Sequence, residues 1–456
     1  MSRKGPVQAT AFILLYLLSG VTVCYSASET TIDLPRFERK PLLNGMQILF
    51  FDGEVSRTPF LLMIENGAAF DPVNKWGVTH LMARMMLANT ERLPGERIRS
   101  ELEMRDAEIH VKVEWDGIYF YGTSPIDQLE PVLGLLSETV VRPLFDEETF
   151  QVVQSQIIEE LEELSQNLEG KTQSLLRADL FGNNPYARPV KGTPESLRNI
   201  ELADVKLQYR RLIMPNQARL AFYYSEDREA LFRQLSPRWG GWVRDNAAPF
   251  TFRQAPEKSS PSSILLKTPT EEGIFRWGQL AVEMASPDYH ALKVLEQYIL
   301  LSIPEWAEQI SSRSQIRAVA RLHAGKMPGY LEISLQAPQD QLLAYYNMFS
   351  GLMDDLRQGK LITKRFEEAK QLVLHEFSSS LQDPMLKLQR VLEADLYNLG
   401  INYIPTFSLR LDRVTPERFK KLVADRFPPH QFVLVVAADD RVEPYLSQLG
   451  EFEILQ

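Results

Sequence analysis

One cysteine, Cys24, in 456 residues excludes an intramolecular disulfide and any cysteine-based zinc site. Cationic excess is missing as well. Fifty Lys and Arg stand against 60 Asp and Glu, a formal net charge of −10, and no basic stripe offsets it, which argues against a nucleic-acid partner. Past Tyr25 no apolar run reaches membrane-spanning length. Histidine is scarce: the six are His80, His110, His290, His323, His375 and His430. No two of them stand four residues apart, so no pair can share one helix face to grip a metal. What is present is ordinary for a globular chain, 44% apolar and 24% charged, and rules out a collagen-like or disordered protein. The length suggests about three domains or two large ones.

The N-terminus reads as an address. Arg3 and Lys4 precede an almost wholly apolar run from Ala9 to Val23, followed by the small residues Ser26, Ala27 and Ser28. This is the layout of a secretory signal over residues 1–28, and it predicts an exported protein, periplasmic or secreted. The alternative is an uncleaved anchor, since Val7 to Tyr25 is just long enough to span a bilayer. Bulky Val23 argues against lipidation of Cys24. No other membrane association is expected.

Residues 247–263, AAPFTFRQAPEKSSPSS, read as a linker between an N-terminal domain, 29–246, and a C-terminal domain, 264–456. The ends of the two halves match. Ile200 to Leu220 lies over Val414 to Leu434 at an offset of 214, with Lys206 on Lys420, Pro215 on Pro429 and Gln217 on Gln431. A duplicated domain follows. Strand-like runs at 47–51, 59–65, 108–115 and 118–121 alternate with helix-like ones at 77–87, 126–140 and 147–164. The second half repeats the scheme, with strands at 263–267, 275–283 and 330–336 and helices at 287–301, 339–356 and 363–381. The expected class is α+β: two homologous domains, each a mainly antiparallel sheet with helices packed on one face.

The run Gly67-Ala-Ala-Phe-Asp71 … Gly77-Val-Thr-His80-Leu-Met-Ala83-Arg84-Met-Met-Leu-Ala-Asn-Thr90 resembles the active-site segment of the insulinase-type (pitrilysin) zinc peptidases. Those carry the inverted motif H-x-x-E-H on a helix and a glutamate ligand some 76 residues beyond the second histidine. Glu160 stands at that distance from Arg84. Phe181-Gly182, Pro185-Tyr186 and Gly192-Thr193-Pro-Glu-Ser196 extend the similarity. In the motif, residues at i and i+4 share a helix face and bind one zinc, and the glutamate at i+3 takes a proton from the bound water. Here His80 is kept, Ala83 replaces the base and Arg84 replaces the second histidine. Alanine accepts no proton, and a guanidinium offers no lone pair and repels a cation. The resemblance therefore implies a pseudoenzyme that needs no cofactor itself, the zinc belonging to an intact homologous subunit.

No replacement chemistry is evident elsewhere. His375-Glu376 begins like H-E-x-x-H, but Ser379 stands where the second histidine belongs. The family's substrate-holding arginine finds candidates in Arg313 and Arg317. No tyrosine lies between Tyr298 and Tyr330 to serve as its companion. His80 is read as a hydrogen-bonded relic in a packed helix, and Met82, Met85 and Met86 as core filling. Arg84, on an otherwise apolar helix, needs a carboxylate partner, and Glu160 is the candidate. The function expected from the resemblance is the non-catalytic subunit of an exported heteromeric peptidase. It would pair with a catalytically intact homologue and help to enclose a peptide. An active metalloendopeptidase with an unorthodox site, or a stand-alone peptide-binding protein, are the alternatives.

Overall fold

The computed structural model describes residues 32, 36–164, 167–243, 261–310, 316–446 and 449–455. The signal read over 1–28, residues 247–260 of the linker and Arg313 lie outside them. Twelve strands are described. In the first half they are β1 (Phe37–Pro41), β2 (Gln47–Phe51), β3 (Thr58–Glu65), β4 (Glu108–Val113), β5 (Gly117–Ser124) and β6 (Ala218–Tyr223). In the second they are β7 (Ser262–Lys267), β8 (Glu272–Leu280), β9 (Arg317–His323), β10 (Tyr330–Pro338), β11 (Val433–Ala438) and β12 (Glu453–Leu455). Ser262 and Ser263, read as the end of the linker, open β7.

The strands make two six-stranded sheets, ordered β1-β2-β6-β3-β5-β4 and β12-β7-β11-β8-β10-β9. Apart from the outermost strand of each, the orders are the same with β7, β11, β8, β10 and β9 in place of β2, β6, β3, β5 and β4. Each sheet is mainly antiparallel, with a parallel pair at equivalent places, β2 on β6 and β7 on β11; in the second sheet β12 adds a further parallel pair with β7, where β1 pairs antiparallel with β2. The duplication extends to the helices. Leu202–Leu212 and Pro416–Arg426 keep the offset of 214 at both ends. The 18-residue helices Glu147–Leu164 and Thr363–Ser380 correspond at an offset of 216.

Each half packs its own helices on one face of its sheet, as the hydrophobic pattern predicts. The other face is buried too, and by an exchange. The first half's helix Leu168–Phe181 lies on β8 and β11 of the second sheet, while the second half's helix Pro384–Leu396 lies on β3 and β6 of the first. Neither helix is among those read from the sequence, because their apolar faces are narrow and broken by charge. The exchange explains why β3 is buried along nearly its whole length rather than alternating, as a strand covered on both faces must be. It also makes both cores cross the repeat. Leu49, Leu61, Met63 and Tyr223 share a core with Trp277 and Leu392, and Ile264, Val433 and Val435 share one with Phe50 and Leu176. The described residues from Ile32 onwards accordingly form one compact unit.

Candidate functional site

The helix Val78–Met86 carries His80, Ala83 and Arg84, and its start is fixed by buried polar contacts. Gly77 takes φ +90° with its Cα against the backbone at Lys191, where a Cβ would stand 2.5 Å from the Lys191 carbonyl oxygen. Only glycine fits that turn. Asp71, 3% exposed, caps the helix from a distance. Its carboxylate accepts from the Gly77 N–H at 2.6 Å, the Thr79 N–H at 3.2 Å and the Thr79 hydroxyl at 2.5 Å. Gln208, on the helix Leu202–Leu212, donates to Thr79 Oγ1 at 2.9 Å, and Arg188 donates to the Asp71 carbonyl at 2.8 Å.

Burial pushes the Asp71 carboxyl up to about 7, against the pull of these hydrogen bonds and of Arg188. A carboxyl whose pKa is raised on folding binds its proton more tightly in the folded state, so its contribution is greatest below pH ~4 and is lost as pH rises towards 7. Between those limits the loss is expected to approach ~4 kcal/mol. Urea unfolding at pH 4.5, 6 and 7.5 should show the decline, and Asp71→Asn should flatten it. An unchanged slope in the variant would assign the pH dependence to another group.

Along the helix, Leu81, Met82, Ala83, Met85 and Met86 are wholly buried, so the methionines fill the core. His80 is 8% exposed. The expected hydrogen bond is absent at Nε2, which finds no partner among the described residues. Burial first, then the charges of Lys191 and Arg84, push this imidazole down to about 3, so it is neutral at physiological pH. His290 has the same character near the start of the second half's helix Tyr289–Leu300. It is 5% exposed, also lacks a partner at Nε2, and is pushed down to about 4 chiefly by burial. Its ring packs against those of Tyr289 and Phe407.

Arg84 meets its expected partner. Nη1 donates to Glu160 Oε1 at 3.0 Å and to Oε2 at 3.3 Å, reaching the helix Glu147–Leu164 from the last turn of its own. The side chains are 30% and 42% exposed, so the contact is a half-solvated ion pair worth ~0.5–1 kcal/mol. The larger cost of breaking a buried pair does not apply to it.

The chemistry of this group does not suit a zinc ion. It supplies one imidazole and one carboxylate, and a guanidinium already holds the carboxylate where the second imidazole would be. Among the described residues no group of three or more His, Cys, Asp or Glu is gathered for a metal. Glu376 accepts from Gln297 Nε2 at 2.8 Å and completes no such group with His375. Arg317 is exposed at the start of β9, and its side chain makes no hydrogen bond or ion pair among the described residues. Sequence reasoning missed Asp71 and Gln208 as the anchors of the motif helix. Asp71 falls inside the quoted run, but nothing local marks it as a cap, because the N–H groups it serves lie six and eight residues on.

A duplicated sheet-and-helix chain with a peptidase motif helix in its first half is the class these observations define. Residues 56–194 match the family described as Insulinase (Peptidase family M16), and the chain carries a domain of that family. It is 21% identical over 165 residues to mitochondrial-processing peptidase subunit beta of Caenorhabditis elegans, covering 36% of each chain. To the non-peptidase homolog YmxG of Helicobacter pylori it is 22% identical over 204 residues, 45% of this chain and 46% of that one. The matches thus span less than half of these relatives. Among solved structures, a protease from Helicobacter pylori superposes with a TM-score of 0.80 at 14% identity, over 89% of this chain and 100% of that one. At that identity the likeness is one of fold.

Proposed function

We propose that the protein is a catalytically silent insulinase-family chain, the non-catalytic subunit of an exported two-chain peptidase that helps to enclose a peptide. The observation that carries this reading is the seat of Arg84 against Glu160, at 3.0 Å, with Ala83 at the position of the general base. A water there has neither a metal to acidify it nor a base to take its proton. Further support comes from a relative that is itself named a subunit and another named a non-peptidase homolog. The fold is kept in full where the motif is not, which favours retention of a shape over retention of a reaction. The zinc of such an assembly would belong to the intact partner.

The test is co-expression with a homologue that has an intact H-x-x-E-H, with masses measured by light scattering. A stable pair is expected, with an interface above ~1,000 Å², and the partner's peptidase activity should depend on this chain. The chain alone should hold well under one zinc per molecule after chelator washing and should cleave nothing. If it stays alone and leaves the partner's activity unchanged, the subunit reading fails. Chelator-sensitive cleavage by the isolated chain would overturn its catalytic silence.

A further inference from the structure

A cavity of about 410 Å³ lies where the two halves meet, and the subunit reading gives it no role. Strand β5 sends Tyr119 and Tyr121 to one face, two residues apart. The helix Pro384–Leu396 crosses that face, presenting Gln389 and Glu393 one turn apart, with Tyr397 just beyond its end. The turns β4–β5 and β9–β10 close the side. There the Lys326 N–H donates to Asp116 Oδ2 at 2.9 Å, and the Tyr186 hydroxyl donates to the same carboxylate at 2.6 Å.

Three carboxylates line the space: Glu114, Asp116 and Glu393. Lys112 is the cationic side chain among the lining residues, and it is paired to Glu114 at 2.6 Å. His323, also in the wall, is kept neutral by burial and by the arginines around it. Glu393 is met at 3.2 Å by Arg390, which does not line the cavity. The lining side chains thus carry three carboxylates against one ammonium, and of the cations outside the lining Arg390 meets Glu393 while Arg177 stands 5.1 Å over the Trp115 ring. The lining also holds polar groups with nothing to bond. The hydroxyls of Tyr119 and Tyr397 have no hydrogen-bond partner among the described residues, and burial first, with neighbouring phenols and carboxylates behind it, raises both pKa values. Tyr330, 2% exposed, has a hydroxyl equally without a partner.

We infer that this cavity binds a small organic cation with an apolar body, its ammonium group among the carboxylates and tyrosine oxygens and its body against the rings of Trp115, Tyr119 and Tyr397. Aromatic faces attract a cation most when water is excluded. A few polar groups in an otherwise apolar wall of this size are what a small-ligand site consists of. The inference is independent of catalysis and of any partner chain.

Calorimetric titration of the full chain at pH 7 with phenethylamine, and with phenylacetate as an anion of the same body, tests it. Phenethylamine is expected to bind one to one, and phenylacetate at least about tenfold more weakly. Glu393→Gln and Tyr397→Phe should each weaken the amine by about fivefold, with circular dichroism reporting that the fold is kept. The comparison of charges uses the unaltered chain, so it stands if a variant unfolds. Equal binding of the two probes, binding of neither, or full affinity in both folded variants would overturn the assignment. So would displacement of phenethylamine by pentaalanine at a lower concentration than by a second free amine, because the occupant would then be a chain end.

Discussion

Arg276→Ala is expected to cost ~3–5 kcal/mol of unfolding free energy, the usual result of stranding a buried charge. Arg276 and Glu332 are 1% and 2% exposed and form an ion pair across β8 and β10. Glu332 is also bonded to His323 Nε2 at 2.8 Å and to Gln173 Nε2 at 3.3 Å. Arg276 reaches out of its own half, donating to Thr172 Oγ1 at 3.1 Å and pairing with Glu169. Both of these lie on the exchanged helix Leu168–Phe181. Removing the guanidinium leaves Glu332 without its cation and loosens the helix that joins the halves. Against a total stability of ~5–15 kcal/mol, urea unfolding should shift strongly and lose its single transition. The double change Arg276→Met with Glu332→Leu should recover most of the loss, since apolar residues of like volume often equal a buried pair. A loss below ~1 kcal/mol in the single variant would mean that water reaches the pair.

The second large effect is expected from Ala83→Glu with Arg84→His. The double change removes the cation that holds Glu160 and supplies the missing imidazole one helical turn from His80. Three protein ligands and an open position then exist, the usual complement of a catalytic zinc. Metal analysis after chelator washing and reloading should rise from well under one zinc to about one per chain. Part of the gain is offset locally, because a carboxylate at position 83 enters a wholly buried site and adds a desolvation cost when it ionises. Glu160→Gln in the same background should abolish the binding. Zinc retained without Glu160 would show that the third ligand comes from elsewhere.

The motif was legible because its spacing is local. His80, Ala83 and Arg84 share one helix face by the 3.6-residue period alone. The resemblance puts Ala83 and Arg84 where the family has its base and second histidine. The pairing of Arg84 with Glu160 is a longer inference, drawn from the family's ligand spacing and the cost of an unpaired arginine, and the geometry meets it at 3.0 Å. The degree of exposure was not legible. Both residues lie near helix ends, and solvent access there depends on what packs beyond them. The repeat was legible at its most local piece, the helix–turn–strand at 200–220 and 414–434, where Pro and Gln recur at one offset.

Sequence alone determined the fold class, the duplicated halves and a helix at 77–87 that resembles the insulinase-type motif helix. The first two follow from periodicity and offset and the last from the resemblance, each carried by neighbours in the chain. Tertiary structure alone decided that the two halves exchange a helix, that the sheets are covered on both faces, and that Asp71 caps a helix beginning several residues later. It also decided where Arg276 is buried and that a cavity lined by carboxylates and tyrosines opens between the halves. Each of these joins residues tens to hundreds of positions apart. Only the packing of one half on the other sets their distances, their burial and therefore their charge.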